Sequence, residues 1–189
     1  FTRQVPDALA LARALRQEAP TAHLTIGGQG LQFLWSEVLR DCPELDSACM
    51  YEADETIADL WTCLVEHQPM DQLPGAYMRS AAGVVTTGGP RPPVVDLDRL
   101  PLPFREPSPG AYRGGHATVY TSRGCAAHCS FCQSGNYGNR YHTAPRWRWR
   151  SAASVVAEFT VLARERGVTA ISIVDDDFLG GDGRGRDRA

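Results

Sequence analysis

The pattern that most restricts the fold is an alternation of helix-like and strand-like segments in the first third of the chain. The helix-like segments repeat apolar residues at intervals of three and four, and the strand-like segments are short apolar runs next to glycine or proline. In chain order these segments cover residues 6–18, 22–28, 31–42, 45–51 and 54–67. Because helices supply the crossovers that parallel strands need, this order predicts the later half of a doubly wound parallel sheet.

The middle of the chain has a different composition. Residues 75–89 predict a small hairpin with its turn at residues 81–83. Residues 90–110 then hold seven of the thirteen prolines, a density typical of an extended segment between domains. Disordered chain is the alternative for this segment.

The last third predicts one β-α-β unit. Residues 117–123 are rich in β-branched and aromatic residues, as in a strand. Ser151 is a suitable N-cap for a helix over residues 152–167, and residues 168–178 form a second apolar strand that ends in acidic residues. Two parallel strands joined in this way require a right-handed crossover.

Three of the six cysteines lie within eight residues, in the loop TSRGCAAHCSFC that follows the first of these strands. They are Cys125, Cys129 and Cys132. Three soft thiolates suit an iron–sulfur cluster or zinc, and His128 or His142 could add a fourth zinc ligand. The spacing alone leaves both metals open, and also a disulfide. The loop follows the carboxyl end of a strand, where α/β folds place their active sites.

Bulk properties exclude some classes of function. The net charge of −3 and the lack of a long apolar run give no case for a nucleic-acid or membrane partner. Residues 146–150, RWRWR, interleave basic and aromatic side chains as in nucleic-acid surfaces, but in an acidic protein we favour a packed segment with stacked arginine and tryptophan. The other three cysteines are scattered, which favours core thiols in a reducing cytoplasmic compartment.

The cysteine loop resembles the signature of the radical S-adenosylmethionine (SAM) superfamily, with Phe131 as its aromatic residue. Residues 150–178 are similar to the first helix and second strand of the partial TIM barrel of that superfamily, and Asp175-Asp176 followed by Phe178 resembles members with a cobalamin-binding domain. Residues 23–60 resemble the end of that domain, although Tyr51-Glu52-Ala53-Asp54 replaces the usual Gly-Glu-Gly-Glu turn.

The resemblance implies an α/β protein of three parts, in a chain that we expect to be truncated at both ends. Residues 1–68 resemble the C-terminal half of a Rossmann-like cobalamin (B12)-binding domain, residues 69–116 a hairpin and proline-rich linker, and residues 117–189 the first β/α units of a partial radical SAM barrel.

The resemblance also implies roles for individual residues. Cys125, Cys129 and Cys132 ligate a [4Fe-4S] cluster, which binds SAM at its open iron and cleaves it reductively to a 5′-deoxyadenosyl radical. The residues implied to contact SAM are Phe131, Asp175 and Asp176, and those implied to contact cobalamin are Gly27, Gly28 and Thr2. Each of these residues has a structural alternative. Phe131 could simply pack under the loop, and the two aspartates could form a solvated strand end. The two glycines could belong to an ordinary turn.

We therefore expect a cytoplasmic cobalamin-dependent radical SAM methyltransferase that acts on a small molecule or peptide. An electron donor such as flavodoxin or ferredoxin is the implied protein partner. A cyclase or rearrangement enzyme of the same subgroup is one alternative, and a zinc-binding module without catalysis is another.

Overall fold

The computed structural model describes residues 4–31, 34–105, 112–127, 129–132, 134 and 145–180. The chain divides into two compact units, Phe1–Pro92 and Pro93–Ala189, which are described separately. Among the described residues, no helix is long and apolar enough to cross a lipid bilayer.

The first unit is built on a four-stranded mixed sheet. Its elements are α1 (Val5–Glu18), β1 (Thr25–Ile26), α2 (Trp35–Asp41), β2 (Ser47–Cys49), α3 (Asp54–Val65), β3 (Ala76–Arg79) and β4 (Val85–Thr87). Strands β1 and β2 are parallel, β3 and β4 are added antiparallel, and the order is β1-β2-β3-β4. The predicted alternation and the predicted hairpin are both confirmed. The hairpin, which we grouped with the linker, is hydrogen bonded to β2 through β3 and lies in the first unit.

The main core of this unit packs α2 against the sheet. Leu39, Cys42 and Ala48 are fully buried there, and Ala12 joins them from α1. The expected core thiols are confirmed for Cys42 and Cys49, whereas Cys63 on α3 is only half-buried.

In its described residues, the second unit has two short two-stranded sheets and one α-helix. Its elements are β5 (His116–Val119), β6 (Ser122–Gly124), β7 (Trp147–Trp149), α4 (Ala152–Thr160), a π-helical continuation of α4 (Val161–Glu165) and β8 (Ala170–Ile173). Strand β5 pairs with β8 in parallel, and β6 pairs with β7 antiparallel. The predicted β-α-β unit is confirmed, and the whole chain has the mixed α/β class expected from its sequence.

The residues that flank α4 and its π-helical continuation cap the helix at both ends. The Ser151 hydroxyl accepts a hydrogen bond from the Ser154 amide at 3.1 Å, which caps the helix. Gly167 has φ +65°, a conformation that favours glycine after a helix. Between these ends, Leu162 is fully buried against Val119 and Val168, and this contact seats the helix on the β5–β8 pair.

Candidate metal centre

The cysteine loop leaves the sheet at a position that only glycine can occupy. Gly124, the last residue of β6, has φ +80° and pairs with Trp147 of β7. A Cβ at Gly124 would clash with the carbonyl oxygen of Arg146, so any side chain would push the two strands apart. Cys125 is therefore the first residue of the loop and directly follows a closely packed strand end.

The acidic strand end after β8 lies against the start of β6. Asp175 accepts hydrogen bonds from the Thr121 amide at 2.6 Å, the Thr121 hydroxyl at 2.5 Å and the Ser122 hydroxyl at 2.8 Å. The Asp177 carbonyl oxygen accepts from the Trp147 indole at 2.6 Å and from the Ser122 hydroxyl at 3.1 Å. These bonds join β6, β7 and the end of β8 into one support beneath the cysteine loop.

The three cysteines are free thiols of unequal exposure. Cys125 and Cys132 are half-buried and Cys129 is exposed. The Cys125 sulfur lies 3.7 Å from an Asp177 carboxylate oxygen and accepts from the Ala127 amide at 3.4 Å. Burial raises the pKa of the Cys125 thiol, and the nearby Asp177 and Cys132 raise it further.

The loop does not form a closed ligand set. Within the part of the chain that the structure describes, no three His, Cys, Asp or Glu side chains converge on a common point. The two histidines that could complete a zinc site, His128 and His142, lie outside the described residues. Three free thiols on one short loop nevertheless have the soft donor chemistry that an iron–sulfur cluster or zinc requires.

The residues predicted to contact SAM have different environments. Phe131 is 90% exposed, so it does not pack under the loop. Asp176 is also exposed and accepts a hydrogen bond from the Ser134 hydroxyl at 2.7 Å. Asp175, by contrast, already accepts hydrogen bonds from three donors of its own chain.

The residues predicted to contact cobalamin lie in the first unit. Gly27 and Gly28 directly follow β1, and a Cβ at Gly28, which has φ +95°, would meet no atom within 4 Å. The strand end is therefore open to close approach. Thr2 lies outside the described residues. Tyr51, which stands where the resembled family has glycine, has φ +52°, and its ring meets the Trp35 ring edge-on at 4.7 Å.

The RWRWR segment is partly buried. Trp147 and Arg148 are 6% and 3% exposed, and the rings of Trp147 and Trp149 lie 5.0 Å apart. The expected packed segment is confirmed as strand β7, although tryptophan here packs on tryptophan. Trp149 is 40% exposed, so one aromatic side chain of the segment stays accessible.

Sequence reasoning missed the support beneath the loop. Thr121, Ser122 and Asp177 hold it together, and none of them was singled out. Two adjacent hydroxyl residues after one strand and a third aspartate after the other are the signal that could have identified them.

Replacing Asp175 with Asn is expected to destabilise the second unit by about 1–3 kcal/mol, because an amide nitrogen cannot accept the bonds that a carboxylate oxygen accepts. Asp176→Asn, which alters an exposed neighbour, is the matched control, and we expect it to change stability by less than about 0.5 kcal/mol. Urea denaturation monitored by hydrogen exchange in β5 and β8 measures both. Equal stability of the two variants would contradict a supporting role for Asp175.

No family model matches the chain, but known proteins match it over most of its length. An uncharacterized methyltransferase of Pyrococcus horikoshii is 28% identical over 182 residues, covering 94% of this chain and 38% of that protein. The anaerobic magnesium-protoporphyrin IX monomethyl ester cyclase of Synechocystis is 27% identical over 176 residues, covering 91% and 34%. The chain thus spans little more than a third of the length of these curated relatives.

Solved structures show the fold. The radical SAM methyltransferase TsrM of Kitasatospora setae, with tryptophan and a SAM analogue bound, has a TM-score of 0.73 at 20% identity, covering 97% of this chain and 35% of that one. OxsB, a cobalamin-dependent SAM radical enzyme with aqua-cobalamin and SAM bound, has a TM-score of 0.69 at 21% identity, covering 98% and 26%. The fold expected from the resemblance to the cobalamin-binding subgroup of radical SAM proteins is confirmed.

Proposed function

We propose that this chain is part of a radical SAM enzyme in which Cys125, Cys129 and Cys132 ligate a [4Fe-4S] cluster. The observation that carries the proposal is the set of three free thiols on the loop after β6, where Cys125 lies 3.7 Å from Asp177 beyond the end of β8. The chain also matches radical SAM structures over nearly its whole length. A cluster with three protein ligands supplies, when bound and reduced, the electron that cleaves SAM.

The described side chains at this site have two proposed roles, contact with SAM and support of the cysteine loop. The exposed Phe131 ring is available to the adenine of SAM, and the exposed Asp176 carboxylate is available to its amino group or to a substrate donor. Asp175 acts indirectly in this proposal, because its carboxylate is occupied by Thr121 and Ser122 and fixes the base of the loop.

Cobalamin is the third proposed cofactor, held in part by the first unit. The open backbone at Gly28, which follows Gly27 at the end of β1, supports this, since a bulky cofactor tail needs close approach to the main chain. OxsB, which matches almost the whole chain, binds aqua-cobalamin. We propose Thr2 as a further contact on the resemblance alone.

The proposed reaction is methyl transfer to a small molecule or peptide, because methyltransferases are among the curated and structural matches. An electron donor such as flavodoxin or ferredoxin must then reduce the cluster. We place the protein in the cytosol, since thiols that ligate iron must stay reduced. Cyclisation is the second candidate, favoured by the match to the protoporphyrin ester cyclase.

Anaerobic reconstitution of the chain with iron and sulfide tests the proposal. The expected result is a brown protein that contains about four iron and four sulfide per chain and cleaves SAM after reduction. The same chain incubated with zinc is the comparison. Tight stoichiometric zinc binding together with failure to retain sulfide would reject the cluster and favour the zinc module.

A further inference from the structure

A cavity of about 260 Å³ in the second unit has no cysteine in its lining. One wall is apolar and comes from the Leu-Pro-Leu-Pro run at residues 100–103, and the other wall carries Thr118 and Tyr120. Three arginines and one glutamate complete the lining: Arg105, Arg123, Arg150 and Glu158. The described residues of the lining thus bring three guanidinium groups and one carboxylate together.

The single carboxylate of this cavity is already shared between two guanidinium groups. Glu158 is 1% exposed, and its two oxygens accept from Arg105 and Arg150, one each. Arg150 also donates to the Tyr120 carbonyl oxygen at 3.0 Å and to the Ser154 hydroxyl at 3.1 Å. One negative charge thus faces two positive charges at a buried position.

Arg105 is the incompletely bonded member of the group. It donates from Nη2 alone, to Glu158 and to the Thr118 carbonyl oxygen at 3.3 Å. Its Nε is buried, and nothing in the described part of the chain accepts a hydrogen bond from it. A buried N–H without an acceptor is unfavourable, so an acceptor brought by a ligand is favoured here.

We infer that this cavity binds the oxyanion head of a small organic molecule, a carboxylate or phosphate group, at Arg105. Guanidinium pairs with planar carboxylate and with phosphate through charge-assisted hydrogen bonds. The Leu-Pro-Leu-Pro wall accommodates an apolar body attached to the head group. The cavity has no cysteine in its lining, although it shares Ser122 with the support beneath the cysteine loop.

The first probe is inorganic phosphate, which is titrated into the full chain in a calorimeter. A titration with sodium chloride at equal ionic strength is the control. Leu102→Glu tests the cavity without touching the ion cluster, because Leu102 is 42% exposed on the apolar wall. Val95→Glu is the matched control, since it adds the same charge to the same segment but lies outside this cavity. We expect millimolar phosphate binding that Leu102→Glu weakens at least tenfold and Val95→Glu weakens less than twofold.

Arg105→Lys supplies a second measurement, because lysine keeps the positive charge but lacks the Nε donor. Arg164→Lys, on the exposed side of the same unit, is its control. Loss of phosphate binding in Arg105→Lys with retention in Arg164→Lys supports the site. Equal binding by the wild-type chain and both cavity variants, or heats that sodium chloride reproduces, would overturn it.

Discussion

Replacing any one of Cys125, Cys129 and Cys132 with alanine is expected to reduce the iron content of the reconstituted chain from about four atoms to near zero. Each change removes one of three proposed thiolate ligands, and a four-iron cluster held by two thiolates is too weakly bound to survive desalting. Iron and acid-labile sulfide per chain are the measurements, with the visible absorption of the cluster as a second readout.

Cys63→Ala is the matched control for this experiment. Cys63 is a free, half-buried thiol on α3 in the first unit, so the change removes a cysteine without touching the loop. We expect the control to retain its iron. If Cys63→Ala lost iron to the same extent, or if a loop variant kept a full cluster, the three loop cysteines would not be the ligands.

The arrangement of elements was accessible from sequence because it depends on local patterns. Apolar periodicity and Ser151 before α4 act within a few residues, and each has the predicted role. The cysteine loop was found for the same reason, since its three thiols are close neighbours in the chain.

Contacts between distant residues were not accessible in this way. The third helix, α3, shows the limit. It repeats apolar residues at intervals of three and four, and Leu60 is buried, but Ile57 and Trp61 are 45% and 69% exposed. Periodicity shows that a face is apolar without showing what covers it. The bonds of Asp175 to Thr121 join residues 54 positions apart, and only the tertiary fold brings them together.

Glu158 is the clearest case of such a hidden residue. In the sequence it interrupts an otherwise apolar helix, and the pattern around it suggests a solvated side chain. In the fold it is 1% exposed and pairs with Arg105 and with Arg150, the residue that follows β7. A buried carboxylate with two guanidinium partners matters most for stability, because its loss leaves two positive charges without this shared partner.

Glu158→Ala is therefore expected to destabilise the second unit by about 3–5 kcal/mol, since it leaves two largely buried guanidinium groups facing one another. Glu165→Ala is the control from the same helical segment. Glu165 is 57% exposed and pairs with Arg166 at 3.5 Å, so its loss is expected to change stability by about 0–1 kcal/mol. Urea denaturation followed by hydrogen exchange in α4 separates this unit from the first.

The same variant connects stability with the proposed anion site. Without Glu158 the cavity keeps all of its guanidinium groups, so added phosphate is expected to recover part of the lost stability of Glu158→Ala, and to do so more strongly than for Glu165→Ala. A difference of less than about 1 kcal/mol between the two variants in phosphate-free buffer would show that the Glu158 ion pairs contribute little more than a surface pair. Destabilisation of the expected size without any recovery by phosphate would support the stabilising role of the Glu158 ion pairs and would count against anion binding at Arg105.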